Sequence, residues 1–388
     1  MKNTFEPVLK KGTKKYDEER AEALAAWRED AKVTEEKWKK DPAYEQHFEA
    51  HWQASETLLG PLTADSIAYY FKKNLRIRTK TARQDLIPFE VNDVQHKFNE
   101  VVANEYEALR PVRLVVLKAR QFGISTDVQA LFYMLLQRQR NTAGATVAHK
   151  SDATSNLYEM WKNYWRYSPN QPRIVKFNAH IVQMAHPSNS QMGLDTAENK
   201  EVKRSYTHQL VHASEVAFWP YAATTRLGLM QTIGDLPRTI VVEESTANGM
   251  GGAFYDLYWK AKKHENDYIA LFYAWHEHAE YRIKLRPAQA RDIMLDLNPE
   301  EKAGVERFKW DAEQIAWRRK AIADKCNGDI NQFHQEYPST DREAFLVSGS
   351  QVFDQNIVEA RREQLDQHRL QFRGTIVYDP TASVAFKS

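Results

Sequence analysis

The sequence predicts an α/β fold with a mainly parallel sheet flanked by helices. From Phe89 onward, short β-branched runs alternate with helical segments, which is the pattern of βαβ units. A glycine-containing turn follows the first of these runs, and polar or acidic residues follow the third and fourth. Because ligands bind at the carboxyl ends of parallel strands, these residues mark the predicted site.

The predicted elements come in a regular order. The first strand is Val112–Leu117, and the helix after it begins at Ser125 and ends near Arg140. The second strand is Ala145–Ala148, which is followed by a helix over residues 151–167. Three further strands are predicted at Gln209–Ala213, Thr239–Glu243 and Tyr268–Phe272.

Both ends of the chain differ from this central region. Residues 1–60 are predicted as an N-terminal helical arm, because aromatic residues recur in a charged background until Gly60-Pro61 ends it. The core is predicted over 61–295, and a small C-terminal helical lid subdomain over 296–372, with helices at Asp311–Ala323 and Ile357–His368. Residues 373–388 are interpreted as the start of a linker toward an absent further domain.

Composition excludes several classes of protein. The 388 residues suggest two to three domains, and 10 Trp, 18 Tyr and 17 Phe exclude a disordered chain. A net charge of +2 excludes a uniformly basic nucleic-acid coat, although a local basic patch stays open. Cys326 is the single cysteine, so no internal disulfide can form. With no apolar run near about 20 residues and no signal peptide, we expect an intracellular protein without a membrane segment.

The first strand leads into the run Lys118–Thr126 (KARQFGIST). In a phosphate-binding loop of pattern G-x-x-x-x-G-K-[ST], Gly123 and Ser125 match the second glycine and the hydroxyl. Ile124 takes the usual lysine position and Lys118 the position of the first glycine. Lys118 can reach the phosphates from the start of the loop, and Ser125 can bind Mg²⁺. The alternative is a plain strand-to-helix turn whose Ser125 caps the helix.

Acidic and small polar residues follow the next strands. Glu215 is well placed to orient and deprotonate a water molecule, whereas an exposed charge at a strand end is the alternative. Ser214 stands where a metal-associated acid is usual, so its metal contact would use the hydroxyl or a water. The fourth strand ends in the run 244–252 (ESTANGMGG), which can sense a γ-phosphate or form a capped glycine-rich loop.

Two further features bear on ligands. The amide of Gln95 matches the donor and acceptor edge of adenine, although a surface glutamine is the simpler interpretation. A basic segment without an acid before Asp85 contains Lys72, Lys73, Arg76, Arg78, Lys80 and Arg83. It would contact DNA phosphates irrespective of sequence, or form a solvated face or a subunit contact. A second basic run, residues 318–320, is favoured as a solvated face.

Four blocks in chain order carry a resemblance: LKARQFGIST, QLVHASEVAFWP, VVEESTANGMGGAFYDLYW and HQEYPSTDREAF. Over roughly residues 87–353 the chain resembles the large terminase subunit of tailed bacteriophages, the ATPase that packages DNA into procapsids. The resemblance implies a P-loop NTPase fold of the ASCE type (additional strand, catalytic glutamate) that uses ATP and Mg²⁺. Terminases with a deviant loop carry the lysine at its start, as Lys118 does here.

The resemblance also implies roles for individual residues. Glu215 becomes the catalytic carboxylate, Arg120 a cis arginine finger and Gln95 the adenine contact, while Ser125 and Ser214 face the metal. The ATP-binding set is Gln95, Lys118, Ala119, Gln121, Phe122, Gly123, Ile124, Ser125 and Thr126. The coupling motif is Ser245-Thr246-Ala247, to which we add Asn248. Arginines that act from a neighbouring subunit stay open, with Arg138 and Arg140 among the candidates.

The implied partners are double-stranded DNA, a small terminase subunit and the portal protein of the procapsid, in the host cell cytoplasm. We expect a homo-oligomeric ring when assembled, with a monomer in solution as the open alternative. The resemblance also implies a C-terminal nuclease domain, toward which residues 373–388 would be the start of a linker. No carboxylate cluster can form around Asp379, so we expect no nuclease activity in this chain. One alternative is another DNA translocase or helicase-type P-loop ATPase. The other is a degenerate, non-catalytic DNA-binding scaffold, which Ile124 and Ser214 would favour.

Overall fold

The computed structural model describes residues 61–78, 86–168, 171–178, 180–185, 188–198 and 207–345, and the backbone of two short strands near the C-terminus. The chain divides into two compact units, residues 1–347 and 348–388. The predicted arm over 1–60, the predicted helix at Ile357–His368, and Lys80 and Arg83 lie outside the described residues. None of the helices within these ranges is long and apolar enough to cross a membrane.

The strands and helices of the first unit alternate through its centre. Its strands are β1 (Arg76–Ile77), β2 (Ile87–Pro88), β3 (Val112–Lys118), β4 (Ala143–Ala148), β5 (Ile174–Asn178), β6 (Ile181–Met184), β7 (Gln191–Thr196), β8 (Leu210–Ser214), β9 (Ile240–Ser245) and β10 (Ile269–Tyr273). Its helices are α1 (Ala64–Asn74), α2 (Asp93–Glu107), α3 (Ile124–Arg138), α4 (Ser151–Tyr167), α5 (Ala222–Met230), α6 (Gly252–Lys262), α7 (Pro287–Leu295), α8 (Pro299–Phe308), α9 (Ala312–Lys325), α10 (Ile330–Glu336) and α11 (Asp341–Phe345). In the second unit, β11 (Thr375–Val377) pairs antiparallel with β12 (Ala385–Lys387).

One sheet of eight strands organises the first unit, in the order β10-β3-β9-β8-β4-β7-β6-β5. The strands from β10 to β7 pair in parallel, and β6 and β5 extend the sheet with antiparallel pairs. β9 therefore lies between β3 and β8, as the additional strand of the predicted fold class requires. The predicted mainly parallel sheet flanked by helices is confirmed, and its strand order is the one expected of the predicted fold class.

The register aligns the carboxyl ends of the central strands. β3 is buried along its whole length, because its β-branched and leucine side chains face packed layers on both sides of the sheet. Leu117 of β3 lies beside Ser245 of β9, and Glu244 lies beside Ser214 of β8. The residues that follow these strands are thereby brought to one edge of the sheet.

The helix after β3 is apolar around most of its circumference. From Val128 to Leu136 every side chain of α3 is buried, so this helix lies within the core rather than on its surface. α3 begins at Ile124, with Gly123 as its N-terminal cap in the left-handed region at φ 74°. The phosphate-loop candidate therefore joins a buried strand to a buried helix, and both of its ends are fixed.

The five predicted strands are all present, with ends within two residues of those predicted. β5, β6 and β7 were not predicted from the sequence, and the exposure of β5 and the composition of β7 explain why these two were not recognised as strands. β5 is half-exposed and β7 contains Gly193 and Asp195, which are uncommon in strands. Pairing with β4 stabilises β7 in spite of this composition. The helices of the predicted lid begin at Pro287, ahead of the predicted residue 296, and those described up to Phe345 belong to the first unit.

Aromatic stacking attaches these C-terminal helices to the end of β3. Tyr281 stacks on Trp317 of α9 with ring centroids 4.2 Å apart. Phe122, in the loop after β3, stacks on His278 at 5.0 Å and on Tyr281 at 5.8 Å. The buried ring of Phe122 thus joins the candidate loop, through Tyr281, to the helices α7–α11, which are called the helical segment (residues 287–345).

Candidate active site

Lys118 is the last residue of β3 and the centre of the site. Its side chain is only 5% exposed, and Nζ lies 3.1 Å from Glu215 Oε1 and 3.0 Å from Glu244 Oε2. Burial alone would lower the pKa of Lys118, but the two carboxylates outweigh it and the pKa is raised. Lys118 is therefore a fixed ammonium group at the start of the loop.

Glu215 connects Lys118 to the predicted coupling motif. It follows β8 with φ 55°, in the left-handed region that non-glycine residues seldom adopt outside functional sites. Its Oε2 accepts hydrogen bonds from the hydroxyl of Ser245 and the backbone N–H of Thr246, each at 3.2 Å. The structure thus brings together the predicted catalytic carboxylate, the predicted lysine and two predicted coupling residues.

Glu244 is the residue that sequence reasoning missed. It is completely buried on β9, and its Oε1 accepts hydrogen bonds from Ser125 Oγ at 2.6 Å and Ser214 Oγ at 2.7 Å. Burial raises the pKa of Glu244, but Lys118 and His212 outweigh this effect, so the pKa is lowered. The available signal was Glu243-Glu244 inside a β-branched strand, since buried carboxylates require cationic or hydrogen-bonding partners.

The neighbouring Glu243 faces the other side of the sheet, as alternation along a strand requires. It too is completely buried, and it accepts hydrogen bonds from Arg226 Nε at 2.5 Å and the hydroxyl of Tyr268 at 2.8 Å. The two adjacent glutamates therefore have separate partners. Only Glu244 belongs to the site.

Part of the predicted phosphate-binding loop has amides available for an anion. The first turn of a helix leaves its N–H groups without intrahelical partners, which in α3 applies to Ile124, Ser125 and Thr126. By contrast, Ala119 N–H donates to Tyr273 O at 3.2 Å and Arg120 N–H donates to Glu336 O at 3.0 Å. In this conformation the amide of Ala119 therefore does not face a phosphate, contrary to the prediction.

The side chains of the loop explain its deviant sequence. Ile124 is completely buried in the core. A lysine at this position would have to turn out of the core to reach the ligand. Phe122 is buried by its stacking, and Gln121 is exposed with φ 61°. Phe122 can thus offer a phosphate only its backbone, and the nearby buried cation is Lys118.

Gln95 contacts the loop directly. Its Nε2 donates to Gly123 O at 2.9 Å, and its Oε1 accepts from Asn92 N–H at 3.0 Å, which closes the capping box of α2. Both edges of this buried amide are therefore occupied by protein groups. Its contact with adenine stays a prediction and requires that both hydrogen bonds open.

Arg120 forms its ion pair with α10. Its guanidinium pairs with Glu336 at the end of α10, and this carboxylate outweighs partial burial and raises the pKa of Arg120. The next residue along, Gln335, donates from Nε2 to Ala247 O at 3.3 Å. Asn248 donates to Ala217 O at 3.0 Å. The finger role of Arg120 stays a prediction that requires it to leave Glu336.

The described part of the basic segment lies at the end of α1 and around β1. Lys72 pairs with Glu90 at 2.7 Å, and Lys73 lies 5.7 Å from the centre of the Tyr69 ring. Lys73 and Arg78 are exposed, and Arg76 Nη1 donates to Leu75 O at 3.1 Å. Binding of DNA by this segment stays a prediction.

The interpretation of residues 318–320 as a basic solvated face is wrong for its first member. Arg318 is only 1% exposed and pairs with Glu300 at 2.5 Å, because α8 packs against α9 at this point. Arg319 pairs with Glu301 at 2.8 Å, and Lys320 pairs with Asp324. The positive charges of this run are matched within the helical segment.

Large terminases of bacteriophages are among the known structures to which this chain is similar. No family model and no curated protein matches the sequence. The large terminase of bacteriophage HK97 matches with a TM-score of 0.49 and 12% identity, over 76% of this chain and 58% of that chain. The large terminase ATPase domain of Thermus phage P74-26 matches with a TM-score of 0.39 and 15% identity, over 65% of this chain and 98% of that chain.

A third match is the large terminase of the thermophilic bacteriophage D6E in complex with ATP-γ-S. Its TM-score is 0.35 and its identity 10%, over 51% of this chain and 46% of that chain. This chain spans 58% of the length of the HK97 protein. Over most of its length, the chain is similar in structure to the large terminases of bacteriophages.

Proposed function

We propose that this protein is the ATP-hydrolysing motor subunit of a viral terminase, which translocates double-stranded DNA into a procapsid. The bridge from Lys118 to Glu215 and Glu244 is the observation that carries this proposal. Hydrolysis of a nucleoside triphosphate needs a cation for the phosphates, oxygen ligands for a metal and a carboxylate for the water. Lys118 lies within hydrogen-bonding distance of Glu215 and Glu244, and Glu244 lies within hydrogen-bonding distance of the hydroxyls of Ser125 and Ser214.

Lys118 and the start of α3 would hold the phosphates. The ammonium group lies at one end of the loop, and the amides of Ile124, Ser125 and Thr126 lie at the other. An anion between them would be bound by a positive charge and by the positive end of the helix. Ser125 would contribute its hydroxyl from the same turn.

Mg²⁺ fits the donors of this site. The hydroxyls of Ser125 and Ser214 point to one carboxylate oxygen, and oxygen donors are the ligands that Mg²⁺ prefers. These two residues would hold the ion. When bound, Mg²⁺ would neutralise part of the phosphate charge.

Glu215 would act as the general base for the attacking water. Its carboxylate is one-quarter exposed, so a water molecule can reach it, while Ser245 and Thr246 hold Oε2 in place. After transfer of the proton, loss of the γ-phosphate would change the hydrogen bonds of Glu215 and be felt at Ser245 and Thr246. Arg120 would leave Glu336 to neutralise charge in the transition state.

DNA contact and assembly complete the proposal. Lys72, Lys73, Arg76 and Arg78 would contact DNA phosphates without regard to sequence, together with Lys80 and Arg83. The subunit would act as a ring in the host cell cytoplasm, with a small terminase subunit and a portal protein as partners. A charge-based grip suits a motor that must move along any sequence.

Steady-state ATP hydrolysis with Mg²⁺ tests this function, at several protein concentrations and with and without duplex DNA. Glu215→Gln should lower turnover at least about 100-fold and leave ATP binding intact, because only the base is removed. The exposed Glu159→Gln on α4 is the matched control and should keep full turnover.

Other results would exclude the proposal or replace it. Equal turnover in Glu215→Gln would remove this residue from its role. A wild-type protein that binds no nucleotide would point to a non-catalytic DNA-binding scaffold. Unwinding of a forked duplex without any procapsid would point to a helicase.

A further inference from the structure

We propose that Glu244 is the carboxylate that holds the Mg²⁺ ion of this site, in place of the acid that Ser214 does not provide. The inference rests on the proposed ATPase function and names its charged metal ligand. Ser214 is neutral, so a site built from Ser125 and Ser214 alone would offer the cation no negative charge. Mg²⁺ is usually bound by one or two carboxylates together with phosphate oxygens and water.

Three oxygens from three different elements meet at one point. Glu244 Oε1 lies 2.6 Å from Ser125 Oγ at the start of α3 and 2.7 Å from Ser214 Oγ at the end of β8. Glu244 itself comes from β9, between the strands that carry Lys118 and Ser214. The hydroxyl of the phosphate loop is therefore already directed at this carboxylate.

The register explains how β9 can supply what β8 lacks. Ser214 and Glu244 are direct partners in the parallel pair of β8 and β9. Neighbouring strands lie about 4.8 Å apart, so a glutamate on one strand can reach the space in front of a short side chain on the next. A serine at position 214 leaves that space open, and Glu244 enters it.

A chain of buried polar side chains contacts Glu244 and fixes its orientation. His212 Nε2 lies 3.4 Å from Glu244 Oε1, and His212 Nδ1 lies 2.5 Å from Gln129 Nε2. Gln129 Oε1 in turn accepts a hydrogen bond from Trp161 Nε1 at 2.5 Å. Polar groups behind a ligand fix its direction and support metal affinity, and this chain of contacts does so for Glu244.

The charges of the site give the proposal a specific consequence. Lys118 carries one positive charge, and Glu215 and Glu244 carry two negative charges beside it. A nucleotide without a metal therefore meets a net negative site, whereas a divalent cation would bridge it to Glu244. Removal of the Glu244 charge should abolish the metal's contribution to affinity without weakening metal-free nucleotide binding.

The experiment measures ADP affinity by calorimetry in EDTA and in Mn²⁺, a spectroscopic substitute for Mg²⁺. In the wild type, Mn²⁺ should raise affinity at least about tenfold, and in Glu244→Gln less than about threefold. Electron paramagnetic resonance should show weaker Mn²⁺ binding by the same variant. Glu243→Gln is the matched control, because it removes an equally buried charge from the opposite face of β9.

A double variant and a direct observation complete the test. Ser214→Asp combined with Glu244→Gln moves the carboxylate to β8 and should restore the effect of Mn²⁺. Anomalous diffraction of wild-type crystals with Mn²⁺ and ADP locates the ion even if the variants do not fold. An ion bound to Glu244, directly at about 2.1 Å or through one water, supports the proposal.

Two results overturn the proposal. The first is a folded Glu244→Gln variant that keeps the full effect of Mn²⁺ on ADP affinity. The second is an ion in the crystal that has no contact with Glu244. A wild-type protein that binds no ADP in either condition would instead overturn the ATPase function itself.

Discussion

Ser245 donates a hydrogen bond from its hydroxyl to the carboxylate of Glu215, with 3.2 Å between Oγ and Oε2. Ser245 is the last residue of β9 and Glu215 follows the neighbouring strand β8, so this bond joins the ends of two adjacent parallel strands. Ser245 Oγ also accepts the backbone N–H of Ala217 at 3.3 Å. Glu215 is therefore held in place by the end of β9 as well as by its own loop.

Loss of the Ser245 hydroxyl should slow hydrolysis. A hydrogen bond to a charged group contributes about 1.5–3 kcal/mol, so Ser245→Ala should lower kcat roughly 10- to 100-fold. KM for ATP should not change, because the bond positions Glu215 and does not contact the nucleotide. Steady-state kinetics separates the two constants. A large rise in KM at unchanged kcat would contradict the positioning role.

Gly123 should tolerate no side chain. Its φ of 74° disfavours an L-residue by about 1–2 kcal/mol, and an added Cβ would lie 2.7 Å from Gln95 Nε2. Gly123→Ala should therefore lower the free energy of unfolding by at least that amount and weaken nucleotide binding. Urea titration and calorimetry provide the measurements.

Gly234→Ala is the control for this substitution. An added Cβ at Gly234 would meet its nearest neighbour, Leu236, at an ordinary distance of 3.5 Å. The two variants should differ clearly in stability. Equal stability of both would show that the loop relaxes at no cost.

The basic segment should give DNA binding a characteristic salt dependence. Lys73 is exposed, so Lys73→Ala should weaken binding to all sequences alike and reduce the slope of log K against log salt by about 1. Fluorescence anisotropy from low to physiological salt measures this slope. Lys320→Ala is the control, since Asp324 already matches that charge. An unchanged slope for Lys73→Ala would remove Lys73 from the interface.

The helical segment contains a group that should make stability depend on pH. His334 lies 2.8 Å from Glu300 and 3.5 Å from Glu343, and Arg318 pairs with the same oxygen of Glu300. Burial lowers the pKa of His334, but these carboxylates outweigh it and raise the pKa above 6.5. The pKa of Glu300 is lowered from 4.5, because His334 and Arg318 outweigh the effect of burial.

The sign of the effect follows from these directions. A raised histidine pKa stabilises the fold fully below pH 6.5, and this contribution is lost as the pH rises through the pKa of the folded state. The lowered pKa of Glu300 contributes above pH 4.5 and is lost as the pH falls. The Tm difference between wild type and His334→Gln should therefore be largest near pH 5–6.5 and shrink toward pH 9. His180→Gln, at an exposed position, is the control.

Much of the fold could be predicted because the central strands have strong, simple patterns. β3, β4, β8, β9 and β10 are short apolar runs at regular spacing, and burial of the first four on both faces of the sheet requires that composition. β7 could not be predicted, since its Gly193 and Asp195 are accepted only because β4 pairs with it. Its stability is a property of the sheet rather than of its own residues.

The site residues also divide into those that the sequence predicted and those that it did not. Lys118, Ser125, Glu215 and Ser245 follow strands in a recognisable order, so the sequence indicates them. Glu244 was hidden, because its role depends on β9 lying between β3 and β8. The partner of Arg120 was hidden for a similar reason, since Glu336 lies 216 positions away in the chain. Strand order and ion pairs between residues distant in the chain could not be predicted from a single sequence.

Gln335 and Glu336 are consecutive residues of one short helix, and each is attached to a different loop of the site. Gln335 bonds to the loop after β9, and Glu336 bonds to the loop after β3. A helix of two turns is rigid, so it cannot follow one loop without displacing the other. If hydrolysis moves the loop after β9, α10 would transmit this movement to the loop after β3, because the two contacts are made by adjacent residues of the same helix. Under the proposed function, hydrolysis at the site and release of its products would then be parts of one movement.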